Sequence, residues 1–200
     1  MLNKKTSIVI LMALALLAGV GSALFKGKEA SGSNSAFSSL GGEFTLMGAD
    51  GPVSLSDFRD DKLVLMFFGF THCPDVCPIS LTNVARAMKQ LTPEQAEQVQ
   101  GMFVSLDPER DTPTILSNYV SFFNESFVGV TGTKKEIDKV VQQYGAVYRI
   151  VELEDSAMGY SVDHSSRLYL IDKKSELVKL LYHDSKPEEI AQAIVATLAQ

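Results

Sequence analysis

The sequence predicts an α/β domain, a sandwich of helices around a mixed β-sheet, and three observations carry that reading. Short apolar runs with strand character alternate with longer segments whose apolar residues recur at helical spacing. Two neighbouring strand candidates and a closing helix come after the alternating part. Both cysteines of the chain, Cys73 and Cys77, stand directly after the most apolar run beyond residue 30, at the start of a helix.

Taken in order, Glu43–Met47 reads as a strand and Asp50-Gly51 as a tight turn. Leu63–Phe70 is the central strand, short, apolar and rich in β-branched and aromatic residues. Pro78 then opens a segment in which Ile79, Leu81, Val84, Ala85, Met88 and Leu91 mostly share a helical face, and proline suits a first turn. Thr92-Pro93-Glu94-Gln95 has the pattern of a capping box, and Met102–Leu106 that of a short strand. Pro113 starts a helix running to about Phe123, with a strand after it at Phe127–Val130. Thr133-Lys134-Lys135-Glu136 is a second capping box. It leads a helix with Ile137, Val140, Val141 and Tyr144 on one face, which Gly145 ends. Ala146–Leu153, Arg167–Ile171 and Leu177–Tyr182 read as strands. Ser185-Lys186-Pro187-Glu188 starts the last helix, with Ile190, Ile194 and Leu198 aligned. The faces holding Met88, Tyr144 and Ile194 are core. A dithiol at the start of a helix, next to a core strand, is the arrangement of the thioredoxin-like fold.

Residues 1–25 read as a membrane anchor, or alternatively as a signal sequence. Lys4 and Lys5 precede an uncharged apolar stretch, Thr6 to Phe25, and a spanning helix needs about 20 such residues. The lysines place the amino end in the cytoplasm, giving a single pass with the rest on the periplasmic, extracytoplasmic side of the inner membrane. Gly21-Ser22-Ala23 would be the cleavage site under the signal-sequence reading. Residues 26–39, rich in Ser, Gly, Lys and Ala, read as a flexible linker, and residues 40–200 as one domain with a full core. Of 18 basic and 24 acidic residues, Lys4, Lys5, Lys26, Lys28 and Glu29 lie before residue 30. The remainder holds 14 basic against 23 acidic side chains, a net of −9. No basic stripe remains, which argues against nucleic acid as a partner. Export implies an oxidising compartment for the thiols.

The cysteine spacing is Cys-x-x-x-Cys, not the Cys-x-x-Cys typical of thiol oxidoreductases. It leaves open a disulfide, and it equally leaves open two sulfurs clasping one ion, soft ligands that select Cu(I) or Zn. A closed zinc site normally takes four strong ligands, and two Cys with three His supply them poorly. The helix dipole favours both thiolates. A third ligand must come from elsewhere, and the candidate is His164, in a segment (Tyr160–Ser166) read as a loop beside the cysteine turn, where Asp163 could orient or stabilise its ring. The plainer reading of His164 is a loop histidine bonded to backbone. His72 adjoins Cys73 and is a weaker ligand candidate, while His183, beside Asp184, reads as an exposed turn residue. Met158 reads as packing or surface rather than as a ligand. Two buried structural thiols are the plainer reading of the cysteines, which their turn position and the intervening Pro74 and Asp75 oppose.

Three segments together resemble a known family. Gly69-Phe70-Thr71-His72-Cys73-Pro74-Asp75-Val76-Cys77-Pro78, then Asp107-Pro108-Glu109-Arg110-Asp111-Thr112-Pro113, then Asp163-His164-Ser165 are similar to motifs of the Sco/SenC family. These are membrane-anchored, thioredoxin-like proteins involved in assembling the copper centre of cytochrome c oxidase. The resemblance covers roughly Leu40 to Gln200. It implies that Cys73, Cys77 and His164 are copper ligands in a three-coordinate site suited to Cu(I), and that the same ligands with a fourth group, such as water, hold Cu(II). It also implies a reversible Cys73–Cys77 disulfide, whose formation removes both thiolates and releases the ion. The implied partners are the copper-accepting subunit of the oxidase and a copper donor or thiol reductant. The implied role is that of a non-enzymatic copper chaperone, with thiol–disulfide reductase activity open to it. The rival reading is a thioredoxin-like oxidoreductase or redox sensor without copper delivery. A peroxidase version of it would call on Arg86 or Arg149. In the Asp107–Pro113 segment, capping of the next helix by Asp111 or Thr112 is preferred to partner docking. Glu152-Leu153-Glu154-Asp155 reads as a solvated acidic loop.

Overall fold

The structure, a computed structural model, describes Phe37 and residues 39–154 and 156–200. The expected anchor and most of the linker lie outside the described residues. Among the described residues, no helix is long and apolar enough to cross a membrane.

The element order is β1 (Thr45–Gly48), β2 (Gly51–Ser54), a 3-10 turn (Leu55–Phe58), β3 (Leu63–Gly69), α1 (Val76–Met88), α2 (Pro93–Glu97), β4 (Val99–Ser105), α3 (Pro113–Ser121), β5 (Val128–Val130), α4 (Lys134–Gln143), β6 (Tyr148–Glu152), β7 (Tyr160–His164), β8 (Arg167–Ile171), β9 (Leu177–Tyr182) and α5 (Pro187–Leu198). The central sheet has the order β5-β4-β3-β8-β9. Strands β3, β4 and β5 run parallel, and β8 and β9 add antiparallel neighbours, giving the expected mixed sheet. Two hairpins stand apart from it, β1–β2 and β6–β7.

All seven residues of β3 are buried, as a strand covered on both faces requires. Their alternation divides the core in two. Leu63, Leu65 and Phe67 pack with Leu81, Val84, Leu116, Val120, Ile190 and Ile194 from α1, α3 and α5. Val64, Met66 and Phe68 face the other way, onto Ile137, Val140, Val141 and Tyr144 of α4 and its end. Each such large apolar side chain contributes about 1.5–3 kcal/mol on burial, so β3 is the rigid axis of the fold.

Local chemistry ends the helices where the sequence indicates. Both capping boxes form: Thr92 N–H donates to Gln95 Oε1 at 3.0 Å, and Thr133 N–H to Glu136 Oε2 at 2.7 Å, with the reciprocal bonds present. Gly145 closes α4 with φ of +63°, and Ala146 N–H reaches back to Val141 O at 2.9 Å. Several boundaries differ from expectation: the strand expected at Met102–Leu106 is Val99–Ser105, and that expected at Ala146–Leu153 is Tyr148–Glu152. Helix α1 begins at Val76, so Cys77 lies within its first turn. Strand β2 and the 3-10 turn occupy a stretch for which the sequence predicts only the Asp50-Gly51 turn. Tyr160–His164 is a strand rather than a loop, because Val151, Ile150 and their neighbours on β6 supply it with an antiparallel partner.

Candidate metal centre

The centre sits where the buried axis runs out. β3 ends at Gly69, whose carbonyl accepts from Leu106 N–H at 2.8 Å, and Phe70 carries the chain into the cysteine turn. Gly69 is dictated by space: a Cβ there would fall 2.6 Å from Cys77 Sγ and 2.7 Å from the Phe103 ring. Cys77 is fully buried, and Cys73 is half-exposed in the turn before α1. Asp75 takes the N-cap position of α1 without using its side chain. The Cys73 sulfur fills that role, accepting from Cys77 N–H at 3.4 Å.

His164 arrives from the far side, at the end of β7. Its ring stands edge-on to Phe67 and Phe70, with centroids 5.9 and 6.1 Å away. Nδ1 lies 3.1 Å from the Ser165 carbonyl, which can only accept, so Nδ1 is a donor and Nε2 is the ring nitrogen that faces the thiols. That Nε2 lies 3.7 Å from Cys77 Sγ. The two sulfurs and the imidazole nitrogen are all within 4.8 Å of one another, the arrangement of a three-donor metal site. Two soft thiolates with one imidazole fit Cu(I), whereas a closed zinc site would want a fourth strong donor.

The thiols differ in acidity because they differ in surroundings. Cys73 is lowered to about 4, first by the hydrogen bond from Cys77, then by bonding to His164 and the N–H groups of Asp75 and Cys77, with burial opposing. Cys77 is pushed up by that same bond to Cys73, by burial and by the charge on Cys73. The pair therefore shares one proton, with the negative charge on the more accessible sulfur.

The other expected residues fall elsewhere. Asp163 does not orient His164: alternation along β7 turns it to the opposite, exposed face, where it accepts from Arg149 Nε and Nη2 at 3.0 and 2.7 Å. The Ser165 carbonyl orients the ring instead. His72 lies outside the three-donor cluster, its Nδ1 3.2 Å from Thr71 Oγ1 on the exposed side of the turn. His183 lies beyond β9 with Nδ1 3.9 Å from Asp184. Met158 offers its backbone carbonyl to Arg110. Arg149 is spent on Asp163, and Arg86 lies in the last turn of α1, away from the thiols at its start.

The Asp107–Pro113 segment holds a role that spacing could not show. Thr112 caps α3, accepting from Ile115 N–H at 3.3 Å. Asp111 does not cap. Fully buried, it accepts from Thr71 N–H at 2.9 Å, from Thr71 Oγ1 at 2.5 Å and from Ser105 Oγ at 2.6 Å, tying the cysteine turn to the end of β4. Asp107 is also buried, ion-paired to Arg110 and accepting from the Tyr160 hydroxyl at 2.7 Å. Only the density of charge in this loop hints that its side chains are committed inward.

Comparison with known proteins agrees with the geometry. The SCO1/SenC family model matches residues 32–199. An SCO2-like protein of Rickettsia felis is 37% identical over 153 residues, covering 76% of this chain and 74% of its own. Among solved structures, ScoI of Arabidopsis thaliana with copper bound superposes with a TM-score of 0.74 at 34% identity, over 80% of this chain and 99% of that one. ScoI of Bradyrhizobium japonicum, also with copper bound, gives 0.71 at 35% identity, over 79% and 99%. The chain belongs to the SCO1/SenC family.

Proposed function

We propose that this protein is a copper chaperone that supplies the binuclear copper site of cytochrome c oxidase during assembly, holding its cargo on Cys73, Cys77 and His164. The observation that carries the reading is the convergence of two sulfurs and one imidazole nitrogen from elements 87 residues apart in sequence. Related structures that carry copper support it. Cys73, already a thiolate and half-exposed, is the first donor for an incoming ion. Cys77 gives up its proton on binding, so loading releases protons and weakens as pH falls. His164, fixed through Nδ1, closes the site without rearranging. Oxidation to a Cys73–Cys77 disulfide, its two electrons passing to a partner disulfide that becomes a dithiol, would remove two of three donors and discharge the ion. The anchor at residues 1–25 would hold the domain on the periplasmic face of the inner membrane.

A second role on the same atoms is favoured by the unequal acidity of the thiols. The Cys73 thiolate attacks a partner disulfide, forming a mixed disulfide and expelling one partner thiolate. Cys77 then loses its proton and attacks Cys73 sulfur, which closes the Cys73–Cys77 bond and frees the second partner thiol; the partner is reduced by two electrons and this chain oxidised by two.

The test is titration of the reduced, metal-free chain with Cu(I) against a competing chelator. One tight equivalent is expected, weakened by each of Cys73→Ser, Cys77→Ser and His164→Ala. Binding no stronger than that of the double-serine chain would overturn the chaperone reading and leave thiol exchange.

A further inference from the structure

The hairpin that delivers His164 is hydrogen-bonded as a strand pair only to itself. Strands β6 and β7 pair with each other and, among the described residues, with no strand of the central sheet. The ladder that fixes β3 and β8 therefore does not fix β7, although His164 must stand within reach of Cys77 Sγ at the end of β3. Something other than sheet bonding sets the distance. Val162 anchors the middle of β7 in the core, but an apolar contact sets position along a strand loosely.

Packing of the His164 ring on Phe67 and Phe70 and the two-residue link to β8 hold one end of the strand, and Arg110 supplies a polar constraint at the other. Its Nη1 donates to two carbonyls at the start of the strand, Met158 O and Tyr160 O, each at 3.1 Å. Its guanidinium lies over the Tyr160 ring, 3.6 Å from the centroid. Its Nε is paired with buried Asp107, which in turn accepts from the Tyr160 hydroxyl. The next residue, Asp111, grips Thr71 two positions before Cys73. One dipeptide thus holds the cysteine turn with its second residue and the histidine hairpin with its first. A slip of one residue along β7 would move His164 by about 3.3 Å and turn it to the other face.

We propose that Arg110 is a positioning residue for copper: by clasping the start of β7 to the Asp107–Asp111 loop, it sets where His164 stands relative to the two thiols. The proposal rests on the three-donor reading above. The fork matters as much as the charge, since one lysine ammonium cannot bridge two carbonyls and a carboxylate while stacking on a ring.

The test is a double-mutant cycle on the full-length reduced chain, read by Cu(I) affinity. Arg110→Met is expected to weaken binding by about 10- to 100-fold, the usual range for groups that orient metal ligands. In a His164→Ala background the same change is expected to cost little, because the ligand it positions is gone. Arg110→Lys, which keeps the charge and is the milder change for folding, is expected to weaken binding in the same background-dependent way. Amide exchange should quicken at Tyr160–His164 and stay unchanged in β3. Wild-type affinity in both Arg110 variants, or an equal loss with and without His164, would overturn the proposal. Unchanged affinity in His164→Ala alone would instead overturn the three-donor reading on which it stands.

Discussion

Cys73 and Cys77 are chemically unlike although only one helical turn separates them. The Cys73 thiolate takes hydrogen bonds from Cys77 and from backbone at the start of α1, which holds its pKa at about 4, while Cys77 is buried against that charge and stays protonated. With its pKa depressed, the Cys73 thiolate is lost only as pH falls through about 4. At about pH 6, where an ordinary thiol is almost wholly protonated, iodoacetamide should therefore modify Cys73 and spare Cys77, as peptide mapping would show. Equal labelling of both would contradict the assignment. Gly69 makes a second prediction at this scale. A methyl group there meets Cys77 Sγ and the Phe103 ring, so Gly69→Ala should lower stability by about 1–3 kcal/mol in urea unfolding and weaken Cu(I) binding as well. Unchanged copper affinity would mean that the sulfur has room to move. The donor residues are legible in the sequence because Cys and His are scarce and carry their chemistry in their side chains. Asp163 falls outside the site for a geometric reason: neighbours on a strand point apart, and Tyr160 and Val162 alternating with Ser161 and Asp163 is the signal that Tyr160–His164 is a strand.

The secondary-structure elements matter here mainly through how they are joined. The Asp107–Pro113 segment reads as a helix start, and half of it is one: Thr112 caps α3. Thr112→Ala should cost about 1 kcal/mol of stability and leave copper affinity alone. Asp111→Ala should cost more, because Thr71 N–H and the Thr71 and Ser105 hydroxyls lose their shared acceptor, and it should loosen the cysteine turn enough to weaken copper binding. Thermal unfolding and Cu(I) competition on the two variants separate these outcomes; equal effects on copper would place Asp111 back among simple caps. Strands and helices are legible because apolar period, proline placement and capping boxes are local signals. The inward commitment of Asp107, Arg110 and Asp111 is not, since their partners Tyr160, Met158 and Thr71 lie 40 or more residues away, even though the Asp107–Arg110 and Ser105–Asp111 contacts are local.

At the scale of the whole molecule, the parallel β3–β4–β5 layer and the two antiparallel strands beside it form a rigid block, and the metal centre is built at its edge. The block contributes the sulfurs through the β3–α1 turn. A hairpin outside the sheet contributes the nitrogen. Oxidation of the two sulfurs on the block would remove two of the three donors, while the third stands on a hairpin outside the central sheet. The chain beyond residue 30 is acidic overall, with a net of −9, which suits a partner that presents positive charge around its copper site. One ion held by two sulfurs and one imidazole has a distinct scattering signature. X-ray absorption at the copper edge of the Cu(I)-loaded chain tests for it most directly. Two sulfur scatterers and one imidazole are expected in the wild type, with the imidazole signature absent in His164→Ala. Sulfur-only coordination, unaltered by His164→Ala, would exclude His164 as a ligand.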